Sequence, residues 1–116
     1  MVFHQGGVTM ALSTVLEHGI LQVGGAPWTT MLERSSNWHE YTIIINSFVP
    51  DPLERQMLYA VSQMHWDPVD PATHYEALRD RSIRMQQSVG DAQVPNMSTD
   101  FWARSVGLRL ISPAPR

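Results

Sequence analysis

Two of the three aspartate–proline pairs in this chain constrain its middle more than any other feature. They are Asp51-Pro52 and Asp70-Pro71. An aspartate side chain caps the first N–H groups of a helix, and proline suits the first helical position because no N–H is needed there. Each pair therefore predicts the start of a helix. The first is followed by an apolar stripe of helical spacing: Leu53, Met57, Ala60, Val61 and Met64. Met57 and Met64 are predicted core residues, because they lie on this stripe.

The second pair predicts a helix that runs to about Val89 and stops at Gly90. Its apolar stripe is narrower and consists of Tyr75, Leu78, Met85 and Val89. The segment 66–69 that joins the two helices is short. So short a connection predicts that the helices are antiparallel neighbours.

β-branched and aromatic residues crowd the segment 41–45, which predicts a central strand that is apolar on both faces. Partial alternation at 108–111 predicts a second strand. Further helices are predicted at 8–21, at 27–34, and from Ser98 to a stop at Gly107.

These elements predict a small α+β domain in which an antiparallel helix pair packs on a short sheet. A mainly helical domain is the alternative. The 116 residues suffice for one domain, so residues 1–116 are assigned to one, with a proline-rich C-terminal tail from about residue 112.

The charged residues argue against nucleic acid as a partner. All eight basic residues are arginines, they are scattered along the chain, and the net charge is −3. Phosphate recognition usually needs a basic stripe. No apolar run reaches the ~18 residues of a membrane span, and the N-terminus lacks the basic residues of a signal peptide. We therefore expect no membrane partner and residence in the cytoplasm, or in a virion assembled there.

Missing residue types and motifs exclude several chemistries. The chain has no cysteine, which rules out thiolate nucleophiles and disulfides, and no lysine, which rules out Schiff-base catalysis on a lysine. Phosphate-binding glycine loops, nucleophile elbows and H-E-x-x-H helices are also missing. No catalytic residue and no cofactor is predicted, and a non-catalytic protein is favoured.

A cluster of imidazoles and carboxylates is the strongest candidate for chemistry. Its weak candidate ligands for a metal are His65, Asp67, Asp70 and His74. Such ligands suit zinc, iron or manganese. The structural interpretation is stronger, because Asp70 is already expected to cap a helix and Asp67 also precedes a proline.

Four residues are predicted to lie in a protein interface: Trp66, Trp102, Met97 and Arg109. Tryptophan and arginine are enriched at interface hot spots, and methionine suits adaptable contact surfaces.

Three functional classes follow. A non-catalytic structural or assembly subunit of a larger protein complex, such as a phage virion or tail component, is favoured. Its support includes a charged fraction of 16%, which is below the usual ~25%. The expected partners are other protein subunits, in a homo- or hetero-oligomer. The alternatives are a small metal-dependent or acid–base enzyme that uses the corner between His65 and His74, and a small regulatory protein that binds and blocks a partner.

Overall fold

A computed structural model describes residues 2–111 of the chain, with side chains from residue 5 onward. The predicted proline-rich tail from about residue 112 lies outside these residues. The α+β class is confirmed, with more helix than sheet. In chain order the elements are α1 (Val2–Leu12), β1 (His18–Gln22), α2 (Trp28–Leu32), α3 (His39–Phe48), α4 (Pro52–Trp66), α5 (Tyr75–Arg79), β2 (Ser82–Gln86) and α6 (Asn96–Val106), with 3-10 turns at Ser36–Trp38 and Asp67–Val69.

The two strands pair in parallel, with His18 opposite Ser82 and Gln22 opposite Gln86. Side chains alternate between the two faces of a strand. Leu21 and Ile83 are therefore buried on one face, while the residues beside them on the other face are exposed. In the part of the chain that is described, these strands form the whole sheet, so each has one unpaired edge.

The main core lies where α1, α5 and α6 cover the inner face of this sheet. Trp102 of α6 is fully buried there. Its indole ring reaches Gly7 of α1, where the backbone of α1 approaches it closely because glycine has no Cβ. The other buried members of this core are Met10, Ala11, Leu21, Ala26, Leu78, Ile83 and Val106.

The helix predicted at the first aspartate–proline pair is confirmed. Asp51 Oδ1 accepts hydrogen bonds from the N–H groups of Leu53 at 2.9 Å and Glu54 at 3.0 Å. The helix α2 lies within the predicted range 27–34, and α6 ends before Gly107, whose φ of +83° is left-handed. The cap at Asp51 and the turn at Gly107 therefore located these two ends, whereas α6 begins at Asn96, two residues before the predicted start at Ser98.

The strand predicted at 41–45 is wrong, because this segment belongs to helix α3. Ser35 caps the 3-10 turn that leads into α3, accepting a hydrogen bond from the N–H of Asn37 at 3.2 Å. The hydroxyl of Thr42 donates to Trp38 O and Leu32 O. β-branched residues favour strands only where neighbouring strands can pair with them, and none lies beside this segment in the described chain.

The helix predicted from Asp70-Pro71 to Val89 is also wrong. It divides into the short α5 and the strand β2, whose alternating burial has the period of a strand. The predicted helix 8–21 likewise ends at Leu12, and β1 begins at His18. The two misassigned segments are each other's strand partners, which a local pattern does not reveal.

Two consequences follow for the predicted architecture. The expected antiparallel pair of long helices does not form, since α4 packs mainly on α2 and α5 has only five residues. Residues 108–111 are irregular rather than a strand. The left-handed Gly107 ends α6, and Leu108 N–H bonds back to Ala103 O.

We predict opposite effects for alanine at two adjacent glycines of α1. A Cβ at residue 7 would overlap the indole of Trp102 and lie 2.8 Å from Pro71 Cβ, so Gly7→Ala should lower the free energy of unfolding by about 1–3 kcal/mol. A Cβ at residue 6 would lie 3.7 Å from Leu21 Cδ2. Gly6→Ala should therefore stabilise the helix by roughly 0.5–1 kcal/mol. Urea unfolding measures both, and equal shifts of the same sign would contradict the packing described.

Candidate functional site

Helix α4 turns its less apolar face toward its own domain. Tyr59 is buried on this face, and Gln63 and Trp66 are partly buried beside it. The side-chain carbonyl of Gln63 accepts two hydrogen bonds from Thr29, one from its hydroxyl at 2.8 Å and one from its backbone N–H at 3.3 Å. Amide and aromatic contacts therefore attach α4 to α2.

The predicted stripe of α4 forms, but it faces solvent, so the expectation that Met57 and Met64 lie in the core is wrong. The four large side chains of this stripe are between 61% and 72% exposed. At 3.6 residues per turn, the stripe lies about 150° around the helix from the inward face. We call it the α4 stripe: Leu53, Met57, Ala60, Val61 and Met64.

Helix α3 carries a second exposed apolar stripe, which we call the α3 stripe: Tyr41, Ile44 and Phe48. These residues recur at i, i+3 and i+7, which places them on one face of the helix. They are between 54% and 82% exposed. No residue of α3 is buried, and the element it contacts most among the described residues is the 3-10 turn before it.

A buried carboxylate, Asp70, fixes the orientation of α4. One of its oxygens accepts hydrogen bonds from Trp28 N at 2.6 Å and from Gln63 Nε2 at 2.9 Å. The other accepts from Ala72 N at 2.9 Å. Three donors from separate parts of the chain thus satisfy a side chain that is fully buried.

An aromatic cluster continues from this corner to α3. The rings of Trp28 and Trp66 stack with centroids 5.5 Å apart, and Trp38 meets Trp28 edge-on at 5.9 Å. Tyr41 of the α3 stripe lies 5.3 Å from Trp38. Offset and edge-on aromatic contacts of this kind stabilise a packed cluster. This cluster supports the base of α3.

The candidate metal ligands serve other purposes in this structure. Asp70 is used as described above, and Asp67 accepts a hydrogen bond from Gln63. His65 is exposed, and His74 Nε2 lies 3.4 Å from Pro68 O. Among the side chains that the structure describes, no three histidine or acidic residues are placed to hold a metal ion together.

The predicted interface residues lie in different environments. Met97 and Arg109 are exposed, and Trp66 is partly buried against Trp28. Trp102 is fully buried in the core, so its predicted place at an interface is corrected. Trp102 and Val106 both lie on the inward face of α6, which explains the burial.

An open cleft beside β1 is a weaker candidate site. It is lined by Glu17, His18, Ala77, Asp80, Arg81 and Ser82. The guanidinium of Arg81 donates to Leu16 O and Ser13 O, so it is occupied in holding the loop before β1. Arg81 is therefore engaged in a structural role, which weakens the case for a catalytic site in this cleft.

Comparisons with known proteins found no match to a protein-family model, a curated protein or a solved structure. Within residues 2–111, none of the helices combines the length and the apolar character needed to cross a bilayer.

We predict that Asp70→Ala is strongly destabilising and that Asp67→Ala is not. Loss of the Asp70 carboxylate removes three hydrogen bonds, and bonds to a charged acceptor contribute about 1.5–3 kcal/mol each before any relaxation. Asp67 is partly exposed, and its carboxylate accepts a hydrogen bond from Gln63 at 3.0 Å. Urea midpoints of the two variants test this, and a larger loss for Asp67→Ala would contradict the role given to Asp70.

We also predict that Tyr59→Phe leaves the protein at least as stable at neutral pH. The Tyr59 hydroxyl is buried and has no hydrogen-bond partner among the described residues. Burial and then Glu33 raise the pKa of Tyr59 above 10.0, and Arg55 opposes them. Because the pKa is higher in the folded state than in the unfolded chain, the fold loses stability as the pH rises from 10.0 through the folded pKa. The variant should lose less stability above pH 10.0 in parallel urea titrations; an equal alkaline loss would contradict this.

Proposed function

We propose that this chain is a non-catalytic assembly subunit that binds other protein chains through the α4 stripe and the α3 stripe. One observation carries the proposal. Both helices turn their large apolar side chains to solvent, while hydrogen bonds between Thr29 and Gln63 and from Thr42 to Leu32 O hold them to the domain.

The energetic cost of leaving these stripes in water supports a protein partner. Burial of one large aliphatic or aromatic side chain contributes about 1.5–3 kcal/mol. Monomeric proteins rarely expose contiguous apolar patches beyond a few hundred Å² without a use for them. Packing a partner helix against either stripe recovers this free energy.

The overall dimensions support the same proposal. The radius of gyration is 15.0 Å, whereas a compact chain of this length has about 13 Å. The molecule measures 44 × 36 × 21 Å, so it is flattened. A flattened body presents more surface for its mass, which suits a subunit that gains part of its stability from neighbours.

The composition of the chain supports assembly with other proteins. A low charged fraction and basic residues that are all arginine suit fixed protein contacts. We extend the proposal to a virion or tail subunit that assembles in the cytoplasm with protein partners, rather than with nucleic acid or membrane. A metal-dependent enzyme and a blocking regulator remain alternatives that no contact in the structure favours.

We predict that charge on both stripes releases the chain from its assembly. In extracts of the cells that make it, the wild-type chain should migrate well above its own 13.1 kDa in size fractionation. The double variant Phe48→Lys/Val61→Lys should migrate at the mass of the single chain, because burying an unpaired lysine charge in an apolar interface is strongly unfavourable.

The control for this experiment is Ala77→Lys, an exposed position on α5. It should leave the assembly intact. The circular dichroism spectrum of the double variant should match that of the wild type, because both side chains are already exposed in the single chain. Migration of the wild-type chain at 13.1 kDa in the extract would overturn the proposal.

A further inference from the structure

We infer that the α4 stripe is covered by the α4 stripe of a second copy of this chain, with the two helices antiparallel about a two-fold axis. This inference rests on the proposed function and names one of its partners. It depends on the spacing, size and charge of the residues along α4, taken in turn below.

The spacing of the α4 stripe is the same in both directions. Leu53, Met57, Ala60 and Met64 are separated by four, three and four residues. Alternating steps of three and four are typical of helix seams that pack as knobs into holes. In an antiparallel pair, Leu53 of each copy therefore lies opposite Met64 of the other, and Met57 of each copy lies opposite Ala60 of the other.

The side-chain sizes along this seam are complementary. Near the two-fold axis, the long and flexible Met57 of each copy meets the small Ala60 of the other. Large residues meet at the two ends, where Leu53 faces Met64. A seam that alternates large and small across the axis lets the helix axes approach to the 8–10 Å typical of packed helices.

Charge favours a second copy over a partner recognised electrostatically. The five stripe residues carry no charge, and Arg55 is turned inward to donate to Val49 O and Pro50 O. A charged partner would gain nothing from this surface. An antiparallel pair also keeps the two copies of Asp51 and Glu54 at opposite ends, whereas a parallel pair would bring four carboxylates and two like helix ends together.

The available surface and space are sufficient. The exposed stripe offers on the order of 600 Å² per copy, which is close to the roughly 800 Å² per partner of a standard stable interface. The domain attaches to α4 about 150° away from the stripe, so the two bodies lie on opposite sides of the helix pair. The two-fold contact is closed, as most homodimer contacts are.

Introduced cysteines test the pairing directly, because the chain has none of its own. Leu53→Cys and Met64→Cys proteins are purified separately, mixed under mild oxidation, and examined by intact mass without reductant. The mixed disulfide should exceed either homodisulfide by roughly tenfold, since a disulfide needs Cα atoms within about 7 Å. Two Leu53 positions of an antiparallel pair are about 16 Å apart along the axis.

Two controls accompany this test. Ala77→Cys, exposed on α5 and away from the stripe, should give no more disulfide-linked dimer than random collision does. Circular dichroism should be unchanged for all three variants, because each replaced side chain is exposed. Sedimentation of the purified wild-type chain should give a dimer, twice its 13.1 kDa mass.

The outcomes separate this inference from the proposed function. A dominant Leu53→Cys homodisulfide, or a wild-type dimer without the mixed disulfide, overturns the antiparallel pairing and leaves the assembly role standing. A monomeric purified chain that migrates in a large assembly in native extracts assigns the stripe to a different protein, which also overturns it. A chain at its own mass in both experiments overturns both proposals.

Discussion

The buried carboxylate of Asp70 is the interaction on which the arrangement of this protein depends. It accepts hydrogen bonds from donors at the start of α2, in the last turn of α4 and in the turn before α5. A buried carboxylate without such donors would be strongly unfavourable, so these three segments are held in one relative position. That position decides which face of α4 meets the domain and which meets solvent.

An amphipathic helix usually turns its apolar face toward the core of its own domain, but α4 turns this face toward solvent. Amide hydrogen bonds and stacked indoles hold the inward face, and the aliphatic stripe remains outside. The main core forms elsewhere, around Trp102 and the small parallel sheet. In the proposed assembly, a division of this kind would separate the residues that fold the chain from those that bind a neighbour, so each set could accept substitutions independently of the other.

Local chemistry predicted some elements well and others poorly. The Asp51 cap, the α4 stripe and the left-handed Gly107 depend on neighbouring residues, and the structure contains all three. The conformation of the Ile-rich segment in α3 and the pairing of β1 with β2 depend on distant residues. The local sequence patterns of these segments therefore predicted the wrong secondary structure. The α4 stripe was predicted correctly, but it was expected to face the core and it faces solvent. The orientation of α4 is set by Asp70, which lies outside the helix. The α3 stripe had a signal, the three- and four-residue steps from Tyr41 to Phe48, that its β-branched content obscured.

Two of the five residues in the α4 stripe are methionines, and this has a redox consequence. Oxidation of a thioether to the sulfoxide turns a flexible apolar side chain into a polar one. Met57 and Met64 are accessible to peroxide while the stripe is uncovered. If the chain assembles as proposed, unassembled copies would thus be open to oxidation, and methionine sulfoxide reductases would restore their ability to assemble.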